Sequence, residues 1–308
     1  MRENDAVTSA TRQPETPAST QLSTSLHQGN ASALRPRLIA TDLDGTLLRD
    51  DKSVSPRTVA ALAAAEAAGI EVFFVTGRPA RWMDVVSDHV HGHGLAICGN
   101  GAAVVDLHGG PGNHRFVKVR ELARENALDA VRLLREAVPG TMYAVEQTYG
   151  FHQEPAYPKL HMELPDKLLP AEELLAADGP SADQPVLKIL AYHLELDPDL
   201  FLARARLAIG DRANVTRSSP SALLEISGPG VSKASTLALC CAEHGISREE
   251  VVAFGDMPND VEMLTWAGRS YAMGNAHPDV IAAASGRTVA NNEDGVAVVI
   301  EQLLAERA

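Results

Sequence analysis

Leu38-Ile39-Ala40-Thr41-Asp42-Leu43-Asp44-Gly45-Thr46 opens the ordered part of this chain, and its reading decides the fold. The run 38–41 is too short for a helix and shows no polar–apolar alternation, so it reads as a strand buried on both faces, as in a parallel sheet. The same reading applies at 72–75, which ends in Thr76-Gly77-Arg78, at 95–98, which ends in Gly99-Asn100-Gly101, and at 251–254, which ends in Gly255-Asp256. Between the first two runs, Ser55-Pro56 supplies an N-cap and a first-turn residue, and Val59, Leu62, Ala63 and Ala67 recur at helical spacing until Gly69. Strand, helix, strand is the α/β signature.

Outward from these runs, the rhythm breaks over 118–218. Helices are expected at 121–137 and 198–209, and strands at 141–146, 186–193 and 223–226, the last returning to the main core. The α/β rhythm resumes with a helix over 232–244, a helix over 258–266, a strand over 271–273 and a final helix over 292–304. Ser247 and Glu250 form a candidate capping box. The expected organisation is a catalytic core over 35–117 and 219–308, with an α+β module inserted at 118–218. Residues 1–34 are rich in Ser, Thr, Gln, Ala and Pro and lack apolar periodicity, so a disordered tail is expected there. The segment has no apolar core of a secretory signal, and Glu3, Asp5 and Glu15 speak against a transit peptide.

With 308 residues, 45% of them hydrophobic, the chain can build a sizeable core. Its net charge of −13 argues against general attraction to nucleic acid or to a membrane surface, while leaving room for a small anionic substrate. No apolar run approaches the roughly 20 residues that span a bilayer. Cys98, Cys240 and Cys241 are too few and too badly spaced for a disulfide framework or a zinc site, which suits a reducing, cytoplasmic location.

Asp42, Thr76, Asn100 and Asp256 each follow an apolar run, and ligands of open α/β sheets bind at the carboxyl ends of the strands. Residues over 200 positions apart are therefore expected to meet at one sheet edge. Asp42 and Asp44 could bind a divalent cation through oxygen, or one could attack while the other handles a proton, or the pair could be a solvated turn. Asp260 falls in the first turn after Pro258, where it could simply charge-stabilise a helix. Lys233 opens a helix after Gly228-Pro229-Gly230. His89, His91 and His93 sit in a Gly-rich loop with no matching carboxylates and are read as solvated.

The motifs together resemble the haloacid dehalogenase superfamily: DxDGT at 42–46, Thr76, Lys233 and GDxxND at 255–260. The likeness to its Cof-type phosphatase branch adds Val75-Thr76-Gly77-Arg78, Gly99-Asn100-Gly101-Ala102, Met273-Gly274-Asn275-Ala276 and Glu293-Asp294-Gly295-Val296. It covers nearly everything from Arg37 onward, the insertion matching in placement more than in sequence. Two departures are Ala234 after Lys233, where glycine is usual, and the absence of the lysine often seen after Asn275. The resemblance implies a Rossmann-like core with a type IIB-like α+β cap. It implies Mg²⁺ held by Asp42, the carbonyl of Asp44, and Asp256, with Asp260 as ligand or nearby partner. Asp42 would be the nucleophile, forming an aspartyl-phosphate. Asp44 would be the acid/base, and Thr76, Gly77, Lys233 and Asn259 would hold the phosphate. Expected substrates are small phosphorylated metabolites: sugar phosphates, flavin mononucleotide or pyridoxal phosphate. Cap candidates for specificity are Tyr143, Glu146, His152 and His161. A phosphosugar mutase of the same superfamily is the alternative, and a phospho-accepting protein without turnover is a more distant one. A P-loop at 228–233 is rejected, because the glycine required before Lys233 is missing.

Overall fold

The computed structural model describes residues 35–87, 94–160 and 164–306. The tail expected over 1–34, the His89–His91–His93 loop and His161 lie outside the described residues. Five strands come first: β1 (Leu38–Thr41), β2 (Glu71–Val75), β3 (Leu95–Cys98), β4 (Ala103–Asp106) and β5 (Arg115–Val119). Six follow in the middle: β6 (Met142–Gln147), β7 (Gly150–Gln153), β8 (Lys167–Leu168), β9 (Val186–Tyr192), β10 (Asn214–Thr216) and β11 (Leu223–Ser227). The chain returns with β12 (Val251–Gly255), β13 (Arg269–Ala272) and β14 (Gly286–Arg287).

The larger sheet has the order β14-β13-β12-β1-β2-β3-β4-β5. Its first six strands run parallel, and β4 and β5 are antiparallel additions. Both faces are covered, which explains the unbroken apolar runs. Ile39, Phe74 and Phe254 pack under the helices Pro56–Ala67 and Gly295–Ala305. Leu38, Phe73 and Ala253 pack on the opposite face, against Leu237 of the helix Lys233–Glu243 and Met263 of the helix Val261–Trp266. The predicted α/β core is therefore present, with its helices within a few residues of their expected bounds.

The smaller sheet, in the order β10-β11-β9-β6-β7-β8, is antiparallel except for the β7–β8 pair. The helices Arg124–Ala137 and Pro198–Ile209 cover one face of it. One expectation fails. Leu223–Ser227 does not return to the main core but pairs antiparallel with β9 and β10, so the boundary expected at 218/219 cuts through the smaller sheet. Its apolar residues serve this second core, where Leu224 and Ile226 pack with Ile189.

The two connections between the sheets lie against each other. A side chain on Gly228 would come within 2.7 Å of the Glu121 carbonyl, so glycine permits the approach. Arg120 of the first connection donates to the Gly230 carbonyl of the second (3.0 Å) and to Ser235 and Thr236 at the start of the following helix (2.7 and 2.6 Å).

Candidate active site

β1 and β12 are parallel neighbours with Thr41 opposite Phe254, so Asp42 and Asp256 emerge at the same edge where the chain switches direction of travel across the sheet. Carboxylate oxygens of Asp42, Asp256 and Asp260 lie within 4.8 Å of one another. Lys233 is buried and donates to Asp42 Oδ1 (2.6 Å) and Asp260 Oδ1 (2.7 Å). The second oxygen of Asp260 accepts the main-chain N–H groups of Asp256 and Met257 (3.1 Å each). Thr46 donates its hydroxyl to Asp256 Oδ1 (2.9 Å). Gly45 has φ +75°, and a side chain there would sit 2.2 Å from Asp256 Oδ2; the loop closes over that carboxylate only because glycine is present.

Three buried carboxylates face one ammonium. Burial lifts the Asp42 carboxyl well above its ordinary range; Lys233 opposes the rise, and Asp260 and Asp256 add to it. Burial and the neighbouring Asp260 push Asp256 up to about 7. Lys233 starts a helix, where the dipole disfavours a cation, and burial also acts to discharge it. The Asp260 and Asp42 carboxylates overcome the burial, and its pKa is raised. This excess of negative charge on hard oxygen donors fits a divalent cation such as Mg²⁺.

The side chain of Asp44 stands outside this cluster. It is clamped by Arg78 through Nε (2.5 Å) and a terminal nitrogen (2.7 Å), and by Lys52 (2.9 Å). Burial would raise its carboxyl, but the two cations outweigh it and lower the pKa to about 2. Lys52 reaches Asp44 from a backbone with φ +68°. Thr76 accepts the Arg78 N–H on its hydroxyl (3.1 Å), and the turn is stitched to the next strand by Gly99 N–H on the Arg78 carbonyl (2.9 Å) and Asn100 N–H on the Thr76 carbonyl (3.0 Å). Asn259 donates its amide to Asn100 Oδ1 (2.9 Å).

A cleft of about 520 Å³ opens above these groups, bounded by Asp42, Thr76, Gly77 and Asn259 on one side and by the smaller sheet on the other. That is the size class of small-molecule sites. Of the cap candidates, Glu146 lines the cleft and pairs with Arg81. Tyr143 does not: it is fully buried on the helix-covered face, its hydroxyl donating to the Val131 carbonyl (3.3 Å). His152 is buried too, its Nε2 within hydrogen-bonding distance of Gln147 (2.8 Å) and Ser181 (2.9 Å). Both belong to the cap's own packing. The sequence reading assigned no role to Arg78, Lys52, Arg81, Lys188 or Glu225, all of which line the cleft. Arg78 was visible as the third residue of its motif, and Lys188 as a single charge inside the apolar run 186–192.

Residues 39–300 match the family model of the haloacid dehalogenase-like hydrolases. The pyridoxal phosphate phosphatase YbhA of Escherichia coli (strain K12) is 31% identical over 282 residues, covering 86% of this chain and 97% of its own length. The 5-amino-6-(5-phospho-D-ribitylamino)uracil phosphatase YitU of Bacillus subtilis (strain 168) is 29% identical over 283 residues, covering 87% and 97%. The fold matches the HAD subclass IIB sugar phosphatase BT4131 with a TM-score of 0.70 over 86% of this chain and 98% of that one, at 22% identity. The larger sheet, and the α+β cap inserted after β5, are thus those of a known architecture. The chain belongs to the haloacid dehalogenase-like hydrolases, as a phosphatase of their Cof-type branch.

Proposed function

We propose that this protein hydrolyses a small phosphorylated metabolite, with Asp42 attacking phosphorus and forming an aspartyl-phosphate. The observation that carries the reading is the buried Asp42 carboxylate held by Lys233 beside Asp256 and Asp260. Asp42, Asp256 and the Asp44 carbonyl would hold Mg²⁺, and Asp260, whose two oxygens serve Lys233 and two amides, would keep that loop and the lysine in place. Bound there, the ion supplies positive charge that screens the repulsion between a carboxylate and a phosphate. Lys233 orients the attacking oxygen of Asp42. Thr76, Gly77, Lys233 and Asn259 surround the phosphoryl position and bind its oxygens, since positioning and charge stabilisation do most of the work in this chemistry. Asp44 protonates the leaving oxygen and then takes a proton from the water that cleaves the acyl-phosphate. Arg78 and Lys52 hold Asp44 ionised, ready for the second role; for the first it must exchange them.

Residues 35–117 with those after 227 act as the catalytic unit, and the smaller sheet with its helices acts as the cap that excludes water. Among the described residues no helix is long and apolar enough to cross a membrane, and the three cysteines are buried and unpaired, which suits the cytoplasm. The test is phosphate release from glucose 6-phosphate, flavin mononucleotide, pyridoxal 5′-phosphate and p-nitrophenyl phosphate, with Mg²⁺ or chelator. Release that needs Mg²⁺ and disappears in Asp42→Asn is the expected result. Release independent of either refutes the mechanism. No release, with isomerisation of a hexose phosphate once its bisphosphate is added, favours a mutase.

A further inference from the structure

The cap wall of the cleft carries a buried ion pair with a third partner on the core. Side chains on β9 and β11 alternate: Ile189, Ala191, Leu224 and Ile226 face the helices, while Lys188, Leu190, Leu223 and Glu225 face the cleft. Lys188 and Glu225 are 4% and 2% exposed. Lys188 Nζ donates to Glu225, and Ser218 donates its hydroxyl to the other Glu225 oxygen. Burial would raise the Glu225 carboxyl, but Lys188 and these hydrogen bonds hold it below the usual range. Lys188 spends a further N–H on the core: it donates to the main-chain carbonyl of Gly77 at 2.6 Å.

A buried ion pair is a poor way to stabilise a sheet, because apolar residues of the same volume serve as well or better. Its distinctive property is that third bond. Gly77 lies between Thr76, which lines the cleft, and Arg78, which clamps Asp44. Lys188 and Gly77 belong to different sheets, joined through the crossed connections at Arg120–Glu121 and Gly228–Gly230, so their bond exists only when the cap sits on the core as it does here. We propose that Lys188, held by Glu225, is a positioning residue through which cap closure fixes the Thr76–Gly77–Arg78 turn and, with it, the placement of Asp44. The inference rests on the reading of Asp44 as the acid/base.

The test uses the full chain carrying Lys188→Met together with Glu225→Gln, so that no unpaired charge is left buried. Two kinds of ester separate the roles: p-nitrophenyl phosphate, whose leaving group needs no proton, and the alkyl esters glucose 6-phosphate and pyridoxal 5′-phosphate, whose leaving groups do. The expected result is a kcat on the alkyl esters lower by about a hundredfold, with KM and the pre-steady-state burst rate of p-nitrophenol release, which precedes the acyl-phosphate hydrolysis shared by all esters, within about threefold of wild type. Hydrogen exchange at the Arg78 amide, which Thr76 accepts, is expected to speed up by about tenfold. Equal losses in the rate of leaving-group release from all esters, or unchanged kcat, with unchanged Arg78 exchange, would overturn the proposal. If the wild type hydrolyses none of the esters, the proposed function falls and the exchange rate alone decides this one.

Discussion

Gly45→Ala tests whether the shape of the carboxylate loop, rather than its charge, sets metal binding. The new methyl group would lie 2.2 Å from Asp256 Oδ2, 2.8 Å from its Cγ and 3.1 Å from Oδ1, so the whole carboxylate must swing away. Swinging breaks the Thr46 hydrogen bond (2.9 Å) and pulls Asp256 out of the cluster with Asp42 and Asp260. The backbone at φ +75° adds a penalty of about 1–2 kcal/mol for any residue with a Cβ. For a chain of this length that corresponds to a fall in Tm of about 1.5–3 °C. Displacing a metal-binding carboxylate or its support weakens metal affinity by about 10–100-fold. The assay is thermal unfolding followed by a Mg²⁺ titration of phosphate release. The expected outcome is a modest Tm loss with a large rightward shift in the Mg²⁺ dependence. A normal Mg²⁺ dependence despite the Tm loss would show that Asp256 does not bind the ion where the loop holds it.

Other outcomes follow from the same geometry. Asp42→Asn should abolish turnover by several orders of magnitude while circular dichroism and Tm stay near wild type; a turnover close to normal would remove Asp42 as nucleophile. Mg²⁺ at a hundred times its Kd should stabilise the wild type by about 2.7 kcal/mol, and Asp256→Asn should lose that shift without losing Tm in chelator, because it removes a buried repulsion. Tyr143→Phe deletes one buried hydrogen bond and should cost about 1 kcal/mol while leaving the ranking of substrates by kcat/KM unchanged; an altered ranking would return Tyr143 to the specificity set.

The meeting of Asp42 and Asp256 was legible because a parallel sheet buried on both faces leaves only strand ends for polar chemistry, and each follows such an end; Lys233, which opens a helix after a strand of the smaller sheet, was reached only through the family resemblance. The strand 223–226 was misplaced for the same reason: Leu223, Leu224 and Ile226 read as a core strand, and Glu225 among them, which marks a cleft-facing position, carried no weight. Tyr143 was misjudged because parity decides its face. It shares the helix side with Val145, while Ala144 and Glu146 look outward, and only the pairing of Tyr143 with Ala191 fixes which set is which. The Arg78–Asp44 clamp was not legible at all, since it depends on side-chain reach across 34 residues. Lys188 on Gly77 spans 111 residues and two sheets.

β1 lies between β2, which follows within about thirty residues, and β12, made some two hundred residues later in the chain. On the ribosome, where elongation runs at about 5–20 residues per second, the first motif must therefore wait on the order of ten seconds or more for its second partner strand. Every residue of the cap is already synthesised by then, and the cap's sheet pairs only within 142–227. All strands of the lid's sheet are therefore made before the catalytic floor is complete, and Asp42 and Asp256 can be brought together only after Lys233, which bridges Asp42 and Asp260, has been made.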